Sequence, residues 1–277
     1  MWLDVDGQRA YAYTGGKAPS PAQPTVVFIH GAQHDHSVWI LQSRYLAHHG
    51  FSVLALDLPG HGRSTGEPLA TVPAMAKWVS AVLDAAGVAS VAIVGHSMGS
   101  LIGLELAGSA PARVARLVMV GGTFPMKVSD ALLSAARDDE ARAFDMINTW
   151  SHLGLNHHPG CPGPGFSVFV QNLRLMERQH KGVLLNDFSA CNAYAGGFER
   201  ADALECPVLF LLGANDQMTP PKSTRALIQR VAKAEVVQVE RCGHALMSER
   251  PDAVLNALRG FLGPLRDAAK STVATSA

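Results

Sequence analysis

The 277-residue sequence carries no net charge, with 23 Lys+Arg against 23 Asp+Glu. Binding a nucleic-acid backbone rests on an excess of Lys and Arg, so nucleic acid is not expected as the main partner. Charge of either sign is scarce: 17% of residues are charged, against about 25% in an average soluble domain. Only four cysteines occur, Cys161, Cys191, Cys206 and Cys242, and their spacing fits neither a disulfide framework nor a metal site. No run of 18 apolar residues exists, so no membrane span is expected. Residues 1–14 lack a basic segment followed by an apolar one and do not read as a signal peptide. The expectation is a cytoplasmic protein with reduced thiols, a monomer or homodimer, working on a small molecule.

Apolar residues make up 48% of the chain, enough for a large core without staples. Asp6-Gly7, between alternating segments at 2–6 and 9–14, reads as a hairpin turn. Runs at 25–30 (TVVFIH), 52–57 (SVLALD), 90–95 (SVAIVG), 116–121 (RLVMVG), 206–213 (CPVLFLLG) and 235–240 (EVVQVE) read as strands. Helical spacing occupies 37–50, 72–86, 97–110 and 251–261. Continuous apolar strands separated by helices predict an α/β fold, a parallel sheet covered on both faces. The alternation breaks once, at 124–203, where helical periods at 131–150, 167–180 and 183–194 appear without a strand. Within it, 159–165 (PGCPGPG) cannot be helical and reads as a loop. The stretch 124–203 therefore reads as a helical cap, or lid, inserted into a core made of 1–123 and 204–265. The small, polar tail at 266–277 is expected to be disordered.

The strongest chemical signal is Gly95-His96-Ser97-Met98-Gly99, which follows a strand and opens a helix. A sharp turn there forces Ser97 into a strained backbone and needs small neighbours. It lifts the hydroxyl to a helix N-terminus, where free N–H groups favour developing negative charge. A serine needs a base, and the base needs an orienting acid. Asp216, in Gly213-Ala214-Asn215-Asp216, and His244, in Cys242-Gly243-His244-Ala245, each follow a strand directly. All three residues then stand on the carboxyl edge of the sheet, where open α/β sheets bind ligands. Two main-chain donors are needed for an oxyanion: Met98 N–H, next to the serine, and Ala32 N–H, in the loop after 25–30.

Together with His30-Gly31 followed by Trp39, and with Asp57-Leu58-Pro59-Gly60-His61-Gly62-Arg63-Ser64, these motifs resemble the α/β-hydrolase fold family over residues 1 to about 264. The resemblance implies an eight-stranded, mostly parallel sheet with a helical cap after the sixth strand. It implies a serine hydrolase of the esterase type, needing no cofactor or metal, with Ser97, Asp216 and His244 as catalytic triad. The expected substrate is a small, moderately apolar carboxylic ester, thioester or lactone, cleaved through an acyl-enzyme. Two alternatives stay open: a carbon–carbon bond hydrolase of a ring-cleavage product, and a non-catalytic ligand-binding homologue. Ser97 in place of Asp departs from the family's dehalogenases and epoxide hydrolases. Ala245, where the carbon–carbon hydrolases tend to carry Trp, weakens that alternative.

Candidates for the substrate pocket are His34, Phe124, Met146, Trp150, Phe169, Met218 and Leu246, which the sequence cannot separate from core. His34 and His36 could ligate a metal, but helix capping by Asp35 or Ser37 is the simpler reading. Cys242 reads as a small buried apolar residue, and Asp57 and Arg63 as fixing a glycine-rich loop.

Overall fold

The hairpin forms at Asp6-Gly7. Strands β1 (Trp2–Val5) and β2 (Gln8–Tyr13) pair antiparallel, and both turn residues have positive φ, 52° and 75°, as a tight two-residue turn requires. The other strands are β3 (Thr25–Ile29), β4 (Ser52–Leu56), β5 (Val91–His96), β6 (Val114–Val120), β7 (Val208–Gly213) and β8 (Ala234–Val239). The computed structural model describes residues 1–153 and 167–275. The eight strands make one sheet in the order β1-β2-β4-β3-β5-β6-β7-β8, parallel from β4 through β8.

Strand side chains alternate between two cores, as a period of two dictates. Val27, Ile29, Leu54, Ile93, Leu117 and Phe210 face α2 (Val72–Ala85) and α3 (Met98–Ser109). Val26, Phe28, Val53, Val94, Val118 and Leu209 face α1 (Ile40–His48) and the C-terminal helix. That both sets are buried explains why the strands read as continuous apolar runs. β8 is the exception: an edge strand with Val236 and Val237 exposed.

Between β6 and β7 come α4 (Asp130–Asp138), α5 (Glu140–Ser151), α6 (Val168–Glu177), α7 (Val183–Ala193) and α8 (Gly197–Asp202). The single helical period expected over 131–150 is two helices, because Asp139 leaves helical geometry (φ −152°) and caps α5 by accepting from Arg142 N–H. Residues of α4 to α7, among them Leu132, Phe144, Met176, Leu184 and Phe188, build a third core of their own. The expected loop at 159–165 lies outside the described residues. After β7 come α9 (Pro221–Ile228), α10 (Leu246–Glu249) and α11 (Pro251–Thr275). Instead of stopping at Phe261, α11 runs through Thr275, so the tail expected to be disordered is helical that far. Leu262 and Leu265 extend its apolar stripe onto the sheet, which offsets the hydrogen bond lost at Pro264. Among the described residues, no helix is long and apolar enough to cross a membrane.

Candidate active site

Ser97 stands between β5 and α3 with φ 51° and ψ −114°, a strained conformation for a residue with a Cβ. The turn is held because a side chain at Gly95 would strike the Gly99 carbonyl, and one at Gly99 would strike the Ile29 carbonyl. Glycine at both positions is what lets the helix approach the sheet. Ser97 N–H donates to Val120 O at 2.9 Å, which ties the turn to the end of β6. The neighbouring loop ends are bonded in series. Gly121 N–H meets Leu211 O at 2.9 Å, Ala214 N–H meets Val239 O at 3.0 Å, and Asn215 N–H meets Cys242 O at 2.8 Å.

This lattice brings Asp216 and His244 together. His244 Nδ1–H donates to Asp216 Oδ2 at 2.7 Å, with both residues buried. Asp216 Oδ1 accepts Met218 N–H and Thr219 N–H, both at 2.8 Å, and Thr219 Oγ1 lies 2.8 Å from Oδ2. Burial alone would raise the Asp216 carboxyl; the His244 ring and the Thr219 donors outweigh it and hold it below its usual value. Thr219 also reaches Gly121 O at 2.8 Å, a bracing role the sequence reading missed. The signal was present, since an Asp commonly accepts backbone N–H groups two and three residues on.

Ser97, His244, Ala32 and His34 line a cavity of about 1060 Å3. A second arm of about 280 Å3 shares Ala32, Ser97, Phe188 and Met218 with it. Met98 is the first residue of α3, so its N–H has no intrahelical acceptor. Of the pocket candidates, His34 lines the wide arm, Trp150 the narrow one and Met218 both. The other four line neither. Phe124 is core, packed edge-on to Tyr194 and Phe198. Leu246 is fully buried against the sheet, Met146 packs in the core of the inserted helices, and Phe169 lies against His152. An apolar side chain looks the same in sequence whether it faces a core or a cavity, which is why these four were misplaced.

The histidines near the site have readable protonation. Asn148 Nδ2 donates to the Phe169 carbonyl, so its Oδ1 accepts from Asn172, whose Oδ1 faces His34 Nε2 at 2.8 Å. His34 is therefore the neutral Nε2–H tautomer. His96 Nε2 donates to His244 O at 3.0 Å. Burial drives the His34 and His30 imidazoles down to about 4, and His96 well below its ordinary value. An unfolded chain protonates the His30 and His34 rings near 6.5, whereas the fold resists until about 4. The unfolded state thus binds more protons between those values, and stability falls as pH drops through them. The melting temperature is expected to fall between pH 7 and pH 5; a flat profile there contradicts this reading.

Asp35 caps Ser37 N–H at 2.9 Å, the capping role favoured over metal ligation. Asp35, His36 and Asp57 are close enough to surround an ion. Their ligand atoms are engaged with protein donors and acceptors instead. Asp57 takes His36 N–H and Nδ1 at 2.7 Å and Arg63 N–H at 2.8 Å, while Asp35 takes Arg178. Among the described residues, Cys191, Cys206 and Cys242 are free thiols; burial raises the Cys242 thiol.

A putative carbamate hydrolase of Klebsiella pneumoniae, RutD, is 28% identical over 92% of this chain and 97% of its own length. The dihydrolipoyllysine-residue acetyltransferase component of the acetoin cleaving system of Cupriavidus necator is 41% identical, over 48% of this chain and 34% of its own length. The enol-lactonase of Burkholderia xenovorans has the same fold, with TM-score 0.83 and 22% identity over 95% of this chain and 100% of its own. The family model for the alpha/beta hydrolase fold matches residues 24–251, a span that holds the Ser97 turn, Asp216 and His244 and most of the sheet; the chain is a hydrolase of that family.

Proposed function

We propose that the protein is a serine hydrolase that cleaves a small, moderately apolar carboxylic ester, thioester or lactone. The observation that carries this reading is the Asp216–His244 pair at 2.7 Å, with His244 and Ser97 lining one cavity. His244, held as the Nδ1–H tautomer, presents Nε2 as the base for the Ser97 hydroxyl. The Ser97 oxygen attacks the acyl carbonyl, and the amides of Ala32 and Met98 receive the oxyanion. His244 passes its proton to the leaving oxygen, and water activated by the same ring releases the acid. A relative supports acyl chemistry: carbamate hydrolysis, for which RutD is named, also breaks a bond between an acyl carbon and a heteroatom.

The two arms divide the substrate. A proton from His244 must reach the leaving oxygen, so the leaving group belongs in the wide arm, which His244 lines. The acyl group then occupies the narrow arm among Met126, Leu132, Trp150 and Phe188. Turnover of p-nitrophenyl esters from acetate to decanoate tests both statements, together with fluorophosphonate labelling of Ser97. Wild type is expected to label at neutral pH and to favour short acyl chains; absence of both labelling and turnover refutes the reading. Trp150→Ala is expected to move the preference toward longer chains, by about tenfold in kcat/KM per methylene newly admitted. A variant that changes only the dependence on alcohol size reverses the assignment of the arms.

A further inference from the structure

Outside the triad lies a second buried charged pair. Asp187, on α7, is fully buried, and its Oδ2 accepts His61 Nε2–H at 2.9 Å. His61 Nδ1 faces the Pro59 carbonyl at 3.0 Å. A carbonyl and a carboxylate only accept, so both ring nitrogens donate and His61 is an imidazolium. Burial opposes that charge, but Asp187 opposite it prevails and the His61 value is raised. The adjoining His30 ring, 4.8 Å away, donates to Gly31 O and accepts from Leu58 N–H, so it is neutral. Asp57 is the other charged group that acts on His61.

The same Asp187 oxygen accepts a second group, Gln33 N–H, at 2.9 Å across 154 residues of sequence. Gln33 holds φ 57°, unfavourable for a residue with a side chain, and its Nε2 donates to Met176 O at 3.0 Å. His34 N–H closes the turn on Gly31 O at 3.3 Å. The Gly31–His34 turn therefore has two of its fixings in the inserted helices α6 and α7. Without them the strained Gln33 peptide would relax, and Ala32 beside it would turn with it. The structure assigns Asp187 as a positioning residue that aims the Ala32 N–H at the oxyanion, so that docking of the inserted helices completes the active site. This rests on the proposed serine-hydrolase reading and its oxyanion donors.

The test uses three variants of the full chain, with p-nitrophenyl butyrate turnover and phenylboronic acid affinity as readouts. Phenylboronic acid forms a reversible tetrahedral adduct on an activated serine. Asp187→Leu combined with His61→Leu removes the Gln33 acceptor without stranding a buried charge, which favours folding. It is expected to lower kcat about 10- to 100-fold, with KM nearly unchanged and boronate affinity falling in proportion. Asp187→Asn keeps an oxygen for Gln33 N–H, so its kcat and boronate affinity are expected to stay within about threefold of wild type. Arg178→Met cuts a different tie of α6, to Asp35 and Ser37, and is expected to leave boronate affinity unchanged. Wild-type kcat and boronate affinity in the double variant overturn the assignment. So does Asp187→Asn falling as far as the double variant, and so does Arg178→Met losing boronate affinity. If wild type itself neither turns over esters nor labels, the serine-hydrolase reading has failed instead.

Discussion

Ser97→Ala is expected to lower kcat for a p-nitrophenyl ester by about a million-fold, as removal of one member of a cooperating triad does. The methyl group leaves the turn intact, because the surrounding glycines and the Ser97 N–H bond to Val120 do not involve the hydroxyl. Substrate affinity and melting temperature should therefore stay close to wild type. The residual rate would come from the Ala32 and Met98 donors and from binding alone. Stopped-flow or long-term colorimetric turnover on the purified variant checks this. Retention of even a tenth of the activity would show that another group carries the chemistry.

The second large effect is Asp216→Asn, expected to reduce kcat by about 10,000-fold through the tautomer of His244. The direction follows from the hydrogen bonds. Met218 N–H and Thr219 N–H both donate to Oδ1, so only the amide oxygen can take that place. The amide NH2 is then forced toward His244, where Oδ2 now sits at 2.7 Å. Facing a donor, Nδ1 must accept, and the ring proton moves to Nε2, the nitrogen that should receive the Ser97 proton. Nearly unchanged KM and melting temperature with the fall in kcat are the expected signature. A fall of less than about tenfold would remove Asp216 from the mechanism.

Much of this was legible in the residues themselves. The Ser97 turn could be read because strand, glycines and helix stand in one short stretch, and the geometry depends mainly on that stretch and its nearest neighbour. Asp216 and His244 could be read because each follows a run that reads as a strand, and parallel strands put their carboxyl ends on one edge. The break between α4 and α5 was missed although Asp139 signals it, because apolar spacing continues across the cap. Phe124 and Leu246 were misplaced because burial in a core and exposure to a cavity demand the same side chain.

The sequence by itself determined the fold class, the strand-end residues and the Ser97 turn, all of which rest on local periodicity and local backbone sterics. Only the tertiary structure decided which side chains face the cavity, the tautomer of His34 and the charge on His61. Those depend on partners more than 100 residues away, such as Asn172 on His34 and Asp187 on His61 and Gln33. A hydrogen bond selects a proton position by what lies opposite it, and no spacing rule tells a single chain what will lie opposite.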